Sequence, residues 1–143
     1  TCWLYSIHYN EGIEKLKNCI ISVHQALNTN GVFCFNVVDK TKINNQLFVK
    51  HTAKQEDNSF TFSSCWHYSG NGDKQSLKLS IEKKNSKQTQ VWDDEHVMVA
   101  FCFDELIDIL RPYFEVHVFE HDYERLLPYG KTSGNAIFTC VKI

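Results

Sequence analysis

The chain has 143 residues, 43% of them hydrophobic and 13% aromatic, which suits one packed domain over residues 1–143. Its formal net charge is −2, and basic residues are scattered among acidic ones, so the composition argues against nucleic acid as a partner. No apolar run approaches the roughly 20 residues of a membrane-spanning helix, so a membrane is not expected as a partner either.

The first part of the chain is predicted to form a strand, a helix and a second strand. Residues 1–5 are apolar enough for the end of a buried strand, and Asn10 is placed to cap a helix whose apolar residues recur at helical spacing. Gly31 fits the left-handed position that ends a helix. Residues 32–38 are almost all apolar, which is typical of a strand covered on both faces in a parallel sheet. These elements predict a right-handed βαβ unit.

The middle of the chain is predicted to form an antiparallel meander. Residues 41–54 weakly favour a helix. Apolar and polar residues then alternate over residues 59–68 and 76–83, and a third strand-like stretch begins at Thr89. Gly-Asn-Gly-Asp and Lys-Asn-Ser-Lys supply the turns between these strands.

The last part of the chain is predicted to form a helix and two strands. The helix runs from about Phe103 to Arg111 and is ended by Pro112. Residues 114–120 form a strand, and residues 135–143 form the last strand after a loop.

The six cysteines are expected to be small buried side chains. They lie inside apolar runs, and no two of them form a Cys-x-x-Cys pair. This distribution favours a reducing compartment, the cytoplasm. Their even number leaves disulfides open, although the spacing does not favour them.

Three stretches of the chain carry a recognisable family pattern. They are L-Y-S-I-H-Y-N, then H-Q-A-L-N-T-N-G-V-F-C-F-N, and then F-C-F-D-E-L-I-D-I-L-R-P-Y-F-E-V. In this order they resemble the segment after the fourth strand, the passage into the fifth strand and the passage into the sixth strand of class I S-adenosylmethionine-dependent methyltransferases. The final strand would be the antiparallel seventh strand of that fold. The chain therefore resembles the C-terminal half of such an enzyme.

The resemblance implies a fold, a cofactor and a substrate class. The fold is an α/β, Rossmann-like methyltransferase fold, present as its C-terminal half only, with an antiparallel β insert. Residues 1–40 and 101–143 would form the core sheet and helices, and residues 41–100 the insert on the substrate side. The insert is similar to the substrate-covering hairpins of small-molecule members such as sugar-amine N-methyltransferases. The implied cofactor is S-adenosyl-L-methionine, and the implied acceptor is a small-molecule amine or hydroxyl.

The chain lacks the family's most telling motif, a glycine-rich turn after the first strand followed by an acidic residue ending the second. We therefore expect the cofactor-binding half to lie upstream of Thr1 or in a partner chain. Residues 1–5 would then expose an apolar strand edge to that partner. This chain alone is expected to bind the cofactor poorly and to be inactive. The alternative is a non-catalytic α/β binding or regulatory module with methyltransferase-like strand order.

The segment after residues 1–5 supplies the first candidate site. The resemblance implies that it passes the methionine portion of the cofactor, so Leu4, Tyr5, Ser6 and Tyr9 are candidate cofactor-binding residues. His8 is a candidate catalytic base, because an unperturbed imidazole titrates near neutral pH. The alternative is a capping turn with a tyrosine packed on a helix.

The insert and the strand before it supply the second candidate site. Asn36 interrupts an apolar strand, so its amide either faces a substrate or satisfies a neighbouring loop. Trp66, His67 and Trp92 suit an apolar substrate pocket with polar anchors. For the two tryptophans, cross-strand packing is the stronger interpretation. His96 is the second candidate base.

Three further patterns are set aside. Cys65 has no local signature of a catalytic thiol. His117 and His121 lack a third ligand nearby, so no metal is expected. Gly130 begins Gly-Lys-Thr, but Arg125 stands where a phosphate-binding loop needs a glycine.

Overall fold

Two antiparallel β-sheets and two α-helices make up the chain in the computed structural model, which describes residues 1–143. The helices are α1 (Ile13–Ala26) and α2 (Phe103–Leu110). Two short 3-10 helices span Ser6–Tyr9 and Lys40–Lys42. The strands are β1 (Val32–Val38), β2 (Val49–Gln55), β3 (Asn58–Tyr68), β4 (Lys74–Lys84), β5 (Thr89–Val99), β6 (Phe114–Glu120) and β7 (Asn135–Lys142). No helix is both long enough and apolar enough to cross a bilayer.

The first sheet has three strands in the order β1-β7-β6. The last strand, β7, lies in the middle and is antiparallel to both neighbours, so β1 and β6 run parallel to each other. This confirms the prediction of an antiparallel final strand. β1 is buried at five of its seven positions, as its apolar run predicted.

The prediction of a strand over residues 1–5 is wrong in extent, because only one residue of this segment pairs with β1. Only Cys2 pairs with β1, through a single parallel bridge to Phe35 in which its N–H donates to the Cys34 carbonyl at 2.8 Å. The chain then leaves the extended conformation, because Leu4 and Tyr5 have φ angles of 55° and 59°. Such left-handed backbone cannot continue a strand.

The start of α1 also differs from the prediction. Gly12, with φ 149° and ψ 176°, holds the N-cap position, and the helix begins at Ile13. The Asn10 side chain instead donates to the Ile7 carbonyl at 2.7 Å, which closes the first 3-10 helix. Asn10 is therefore a cap for the preceding 3-10 helix.

α1 ends at Ala26 with Leu27 as an extended C-cap, so Gly31 does not end the helix as predicted. The left-handed residue in the turn that follows is Asn30, with φ 60°. Gly31 is needed for a different reason. A Cβ at this position would lie 2.7 Å from the Asn28 carbonyl oxygen, which is too close for any side chain. The glycine here serves close approach of the backbone.

We expect Gly31→Ala to lower the free energy of unfolding by about 1–3 kcal/mol, because the added methyl group forces the backbone apart. Urea unfolding followed by circular dichroism measures this change. Gly130→Ala is the matched control, because its Cβ would meet only the flexible Glu120 carboxylate, at 3.2 Å. Equal midpoints for the two variants would contradict the close-approach explanation.

The main core lies between the three-stranded sheet and the two helices. Phe35 and Phe138 stack at 5.5 Å on neighbouring strands, and Phe103 of α2 meets Phe138 edge-on at 5.4 Å. Leu16 and Leu106 bring α1 and α2 into the same cluster. The apolar spacing of both helices in the sequence predicted these contacts.

The second sheet has four antiparallel strands in the order β2-β3-β4-β5. It confirms the predicted meander but corrects the weak helix prediction for residues 41–54. Residues 49–55 form β2, which pairs with β3 from Val49↔Ser64 to Gln55↔Asn58. All seven residues of β2 are exposed, so backbone pairing and not burial defines this strand. An unburied hairpin strand leaves no periodic apolar signal in the sequence.

The first 3-10 helix lies against one end of this second sheet. Trp66, Leu77 and His96 are direct register partners on β3, β4 and β5, so their side chains form a row across one face. Tyr5 meets Trp66 edge-on at 5.2 Å, and the Tyr9 ring meets His96 at 5.5 Å. The row therefore supports both ends of the segment that carries the candidate site.

Candidate functional site

The candidate site lies at one edge of the three-stranded sheet. β1 and β6 run parallel, so their carboxyl ends meet at this edge. Asn36 lies near the end of β1, His121 follows β6, and Asn135 opens β7 directly opposite Val38. Ligands of open α/β sheets bind at such carboxyl ends.

Tyr5 connects the residues at this edge. Its backbone N–H donates to Asn36 Oδ1 at 3.1 Å, and its hydroxyl donates to Asn135 Oδ1 at 3.4 Å. Its ring packs against Trp66 and lies 6.1 Å from the ring of His121. Burial raises the pKa of the Tyr5 hydroxyl, so the group stays protonated and remains a hydrogen-bond donor.

Asn36 is almost fully buried, and its amide oxygen satisfies the backbone of the neighbouring loop through Tyr5. This contact is one of the two arrangements expected for an amide in an apolar strand. A contact between Asn36 and a substrate stays a prediction.

His8 is fully buried between the two sheets. Its Nε2 accepts the Val38 N–H at 3.1 Å, so Nδ1 carries the proton and donates to the Val99 carbonyl at 2.9 Å. The ring stacks on Phe101 with centroids 4.4 Å apart. Burial lowers the pKa of His8 to about 4, so the ring is neutral at physiological pH. Both nitrogens are occupied, and this geometry does not support His8 as the catalytic base.

Gln75 is buried beside His8. Its amide nitrogen lies 3.1 Å from His8 Nδ1, while its amide oxygen is buried without a hydrogen-bond partner. Because Nδ1 carries the only ring proton, a half-turn of the amide would place the Gln75 oxygen where it shares that proton with the Val99 carbonyl in a bifurcated hydrogen bond.

His96, the second candidate base, lies at the surface and has two polar partners. The Tyr9 hydroxyl is hydrogen-bonded to its Nδ1, and the Asp94 carboxylate lies 3.0 Å from its Nε2. The hydrogen bond from His96 lowers the pKa of Asp94, so Asp94 is a carboxylate at neutral pH. Of the two histidines predicted as bases, only His96 reaches solvent.

The structure does not bring the remaining predicted residues into this site. Leu4 is 80% exposed, and the Ser6 hydroxyl donates to the Trp3 carbonyl at 2.6 Å. His67 faces the opposite side of its sheet from Trp66, because neighbouring residues of a strand alternate. Trp92 lies four residues before His96 on β5 and is 52% exposed.

Sequence reasoning missed three polar residues that the structure places beside predicted ones: Asp94, His121 and Asn135. His121 was considered only as a metal ligand, although its place directly after β6 is a signal for the sheet edge. Asp94 precedes His96 by two residues on a strand, which puts both on one face. No group of three or more histidine, cysteine and acidic side chains lies together in the arrangement of a metal site.

Known structures share this arrangement of strands and helices. The amino pentose methyltransferase CalS10 from Micromonospora echinaspora superposes with a TM-score of 0.76 at 9% identity, covering 98% of this chain and 56% of that chain. DesVI from Streptomyces venezuelae superposes with a TM-score of 0.73 at 15% identity, covering 98% and 56%. The sugar N-methyltransferase KedS8 from a Streptoalloteichus species gives 0.70 at 16% identity, covering 99% and 54%.

The chain has a methyltransferase fold. This confirms the fold class predicted from the sequence, a Rossmann-like methyltransferase fold with an antiparallel insert, present in part. The chain spans about 56% of the length of CalS10 and DesVI. No protein-family model matches the sequence. No curated protein matches it either.

Proposed function

We propose that this chain is part of an S-adenosyl-L-methionine-dependent methyltransferase that acts on a small-molecule amine or hydroxyl. The observation that carries the proposal is the superposition of 98% of the chain on CalS10, a methyltransferase bound to this cofactor, with a TM-score of 0.76. DesVI and KedS8 share the fold, and KedS8 is a sugar N-methyltransferase. The cysteine distribution supports a cytoplasmic location for the enzyme.

The residues of the candidate site fit the reactive end of the cofactor. When bound, the cofactor supplies an electrophilic methyl group on a positively charged sulfur. The rings of Tyr5 and Trp66 suit a nearby cation, because aromatic faces attract positive charge. His121 has its pKa lowered by burial, so it adds no competing charge at neutral pH. Leu4, Tyr5, Ser6 and Tyr9 stay proposed cofactor residues, and of these Tyr5 and Tyr9 contact the insert.

The insert is the proposed substrate side of the site. Trp66 belongs to it and contacts Tyr5, so substrate and cofactor surfaces would meet there. His67, Trp92 and Asn36 stay proposed substrate residues, and a separate substitution of each would test its role.

The outer edge of β1 is the proposed attachment point for the rest of the fold. That edge carries only the single bridge at Cys2. Trp3 and Leu4 beside it are 37% and 80% exposed. A further strand, from the same protein or from a partner chain, would pair there and cover these side chains.

A non-catalytic regulatory module is the second candidate function. The observation that favours it is the placement of the six glycines. α1 does begin beside one, Gly12, but the segment before it is a 3-10 helix and not a strand. No glycine-rich turn between a strand and a helix is therefore present to carry the nucleotide part of the cofactor.

Titration of the chain with the cofactor tests the proposed function. We expect binding weaker than micromolar, with NMR shifts at Tyr5 and Tyr9 when S-adenosyl-L-methionine reaches millimolar concentration. 5′-Methylthioadenosine lacks the methionine portion and serves as the control, and we expect it to leave these two signals in place. Tyr5→Phe tests the hydroxyl, because this variant keeps the ring against Trp66.

Two results would count against this proposal. Unchanged Tyr5 and Tyr9 signals at millimolar cofactor would show that these residues do not contact the cofactor. Submicromolar binding by this chain alone would show that the nucleotide part is held by residues that we have not assigned to it.

A further inference from the structure

Tyr9, His96 and Asp94 form a continuous hydrogen-bonded chain at the protein surface. The Tyr9 hydroxyl is bonded to His96 Nδ1, and His96 Nε2 lies 3.0 Å from Asp94 Oδ2. Tyr9 belongs to the first 3-10 helix, whereas His96 and Asp94 lie on β5. The chain of bonds therefore joins the proposed cofactor segment to the proposed substrate insert.

The direction of these hydrogen bonds follows from the chemistry of the three groups. A carboxylate only accepts hydrogen bonds, so His96 Nε2 must carry the proton that Asp94 receives. Neutral imidazole has a single N–H, so Nδ1 presents a lone pair. The Tyr9 hydroxyl must then donate to Nδ1. A hydroxyl, a basic imidazole and an orienting carboxylate in this order form an arrangement that activates nucleophiles and bases.

A second tyrosine–histidine pair shows what the carboxylate adds. His121 Nε2 lies 3.0 Å from the Tyr123 hydroxyl, but no carboxylate is hydrogen-bonded to His121. Tyr123 is 64% exposed and Tyr9 is 51% exposed. Exposure alone would therefore make Tyr123 at least as reactive as Tyr9.

We propose that Tyr9 is a base-activated hydroxyl that takes the proton released by the methyl acceptor, with His96 and Asp94 as its positioning residues. This role in methyl transfer rests on the proposed function. As the acceptor nitrogen or oxygen loses its proton to Tyr9 Oη, the phenolic proton of Tyr9 passes to His96 Nδ1. The imidazolium that forms is stabilised by Asp94, and the proton later leaves to solvent. In this proposal Tyr9 is the catalytic residue, because its hydroxyl oxygen receives the proton of the acceptor.

An arylsulfonyl fluoride tests the activation of Tyr9 without cofactor or substrate. Tyr9 Oη attacks the sulfur, fluoride leaves, and His96 Nδ1 takes the phenolic proton. Labelling rates at Tyr9 and Tyr123 are measured on one sample by peptide mass spectrometry. We expect Tyr9 to react at least about tenfold faster than Tyr123, a modest share of what a positioned base contributes in enzymes.

Substitutions of the two positioning residues complete the test. We expect His96→Gln and Asp94→Asn to reduce the Tyr9 rate to the level of Tyr123, and Asp94→Glu to restore part of it. The Tyr123 rate should not change in any of these variants, which controls for global unfolding. Equal rates at Tyr9 and Tyr123 in the unsubstituted chain, or an unchanged Tyr9 rate in His96→Gln, would overturn the proposal.

Nitrogen-15 NMR of His96 provides an independent readout. The proposal requires the neutral tautomer with the proton on Nε2, and a proton on Nδ1 would overturn it. Neither measurement depends on methyl transfer. If Tyr9 is activated but the cofactor causes no NMR shifts, only the proposed function is refuted. If the chain binds the cofactor but Tyr9 is not activated, only the proposed role of Tyr9, His96 and Asp94 is refuted.

Discussion

Replacing His8 with alanine is expected to lower the free energy of unfolding by at least about 3 kcal/mol. The substitution leaves the Val38 N–H and the Val99 carbonyl without their hydrogen-bond partner in the interior. A buried polar group that loses its partner costs about 1–3 kcal/mol, and the cavity beside Phe101 adds to this loss. Urea unfolding at neutral pH measures the effect.

Two further variants separate hydrogen bonding from volume. His8→Gln keeps one donor and one acceptor, so we expect it to retain more stability than His8→Leu, which keeps only the apolar volume. His51 is exposed on β2, and His51→Ala should change the stability by less than about 0.5 kcal/mol. A His8→Leu variant as stable as the unsubstituted chain would show that the two hydrogen bonds do not hold the sheets together.

Acid is expected to destabilise the chain by about 3 kcal/mol between pH 6.5 and pH 4 through His8 alone. The pKa of His8 is about 4 in the folded chain, against 6.5 for an ordinary histidine. Between these values the unfolded chain binds a proton at this position and the folded chain does not. The free energy of unfolding therefore rises with pH through this window, and the contribution is lost as the pH falls.

Urea midpoints measured across this range check the acid prediction. His121 contributes in the same direction, because burial also lowers its pKa. The pKa of Asp94 is lowered from the ordinary carboxylate value of 3.8. The stability that Asp94 contributes is therefore lost only below about pH 4, outside the pH range in which His8 acts. His8→Gln removes the titrating group and should flatten the curve between pH 6.5 and 4. A curve as steep in His8→Gln as in the unsubstituted chain would assign the acid sensitivity to other groups.

The elements that sequence analysis predicted well are those that bury a periodic apolar face. α2 packs Phe103, Leu106 and Leu110 into the core at helical spacing, and β1 is a nearly continuous apolar run. β2 was mistaken for a weak helix because it buries nothing. Its structure comes from pairing with a strand that follows it, and pairing of this kind leaves no trace in residue types.

For the candidate residues, sequence analysis could predict proximity better than chemistry. Tyr5 and Asn36 were both expected near the end of a strand, and they are in contact. The burial of His8 could not be predicted, because its partners Val38 and Val99 lie 30 and 91 residues away along the chain. The residues around a histidine in a short segment do not show whether it is a solvent-accessible base or a buried residue that holds two strands together by hydrogen bonds.

The position of His8 also restricts how the molecule can move. Val38 ends β1 of one sheet, and Val99 ends β5 of the other, so a single imidazole ring bridges the two sheets at the base of the insert. A hinge at this point would have to pull the neutral ring out of its stack on Phe101 and leave the Val38 N–H and the Val99 carbonyl without their partner. Relative motion of the two sheets is therefore expected to be most restricted at this joint and least restricted at the exposed hairpin that turns at Glu56.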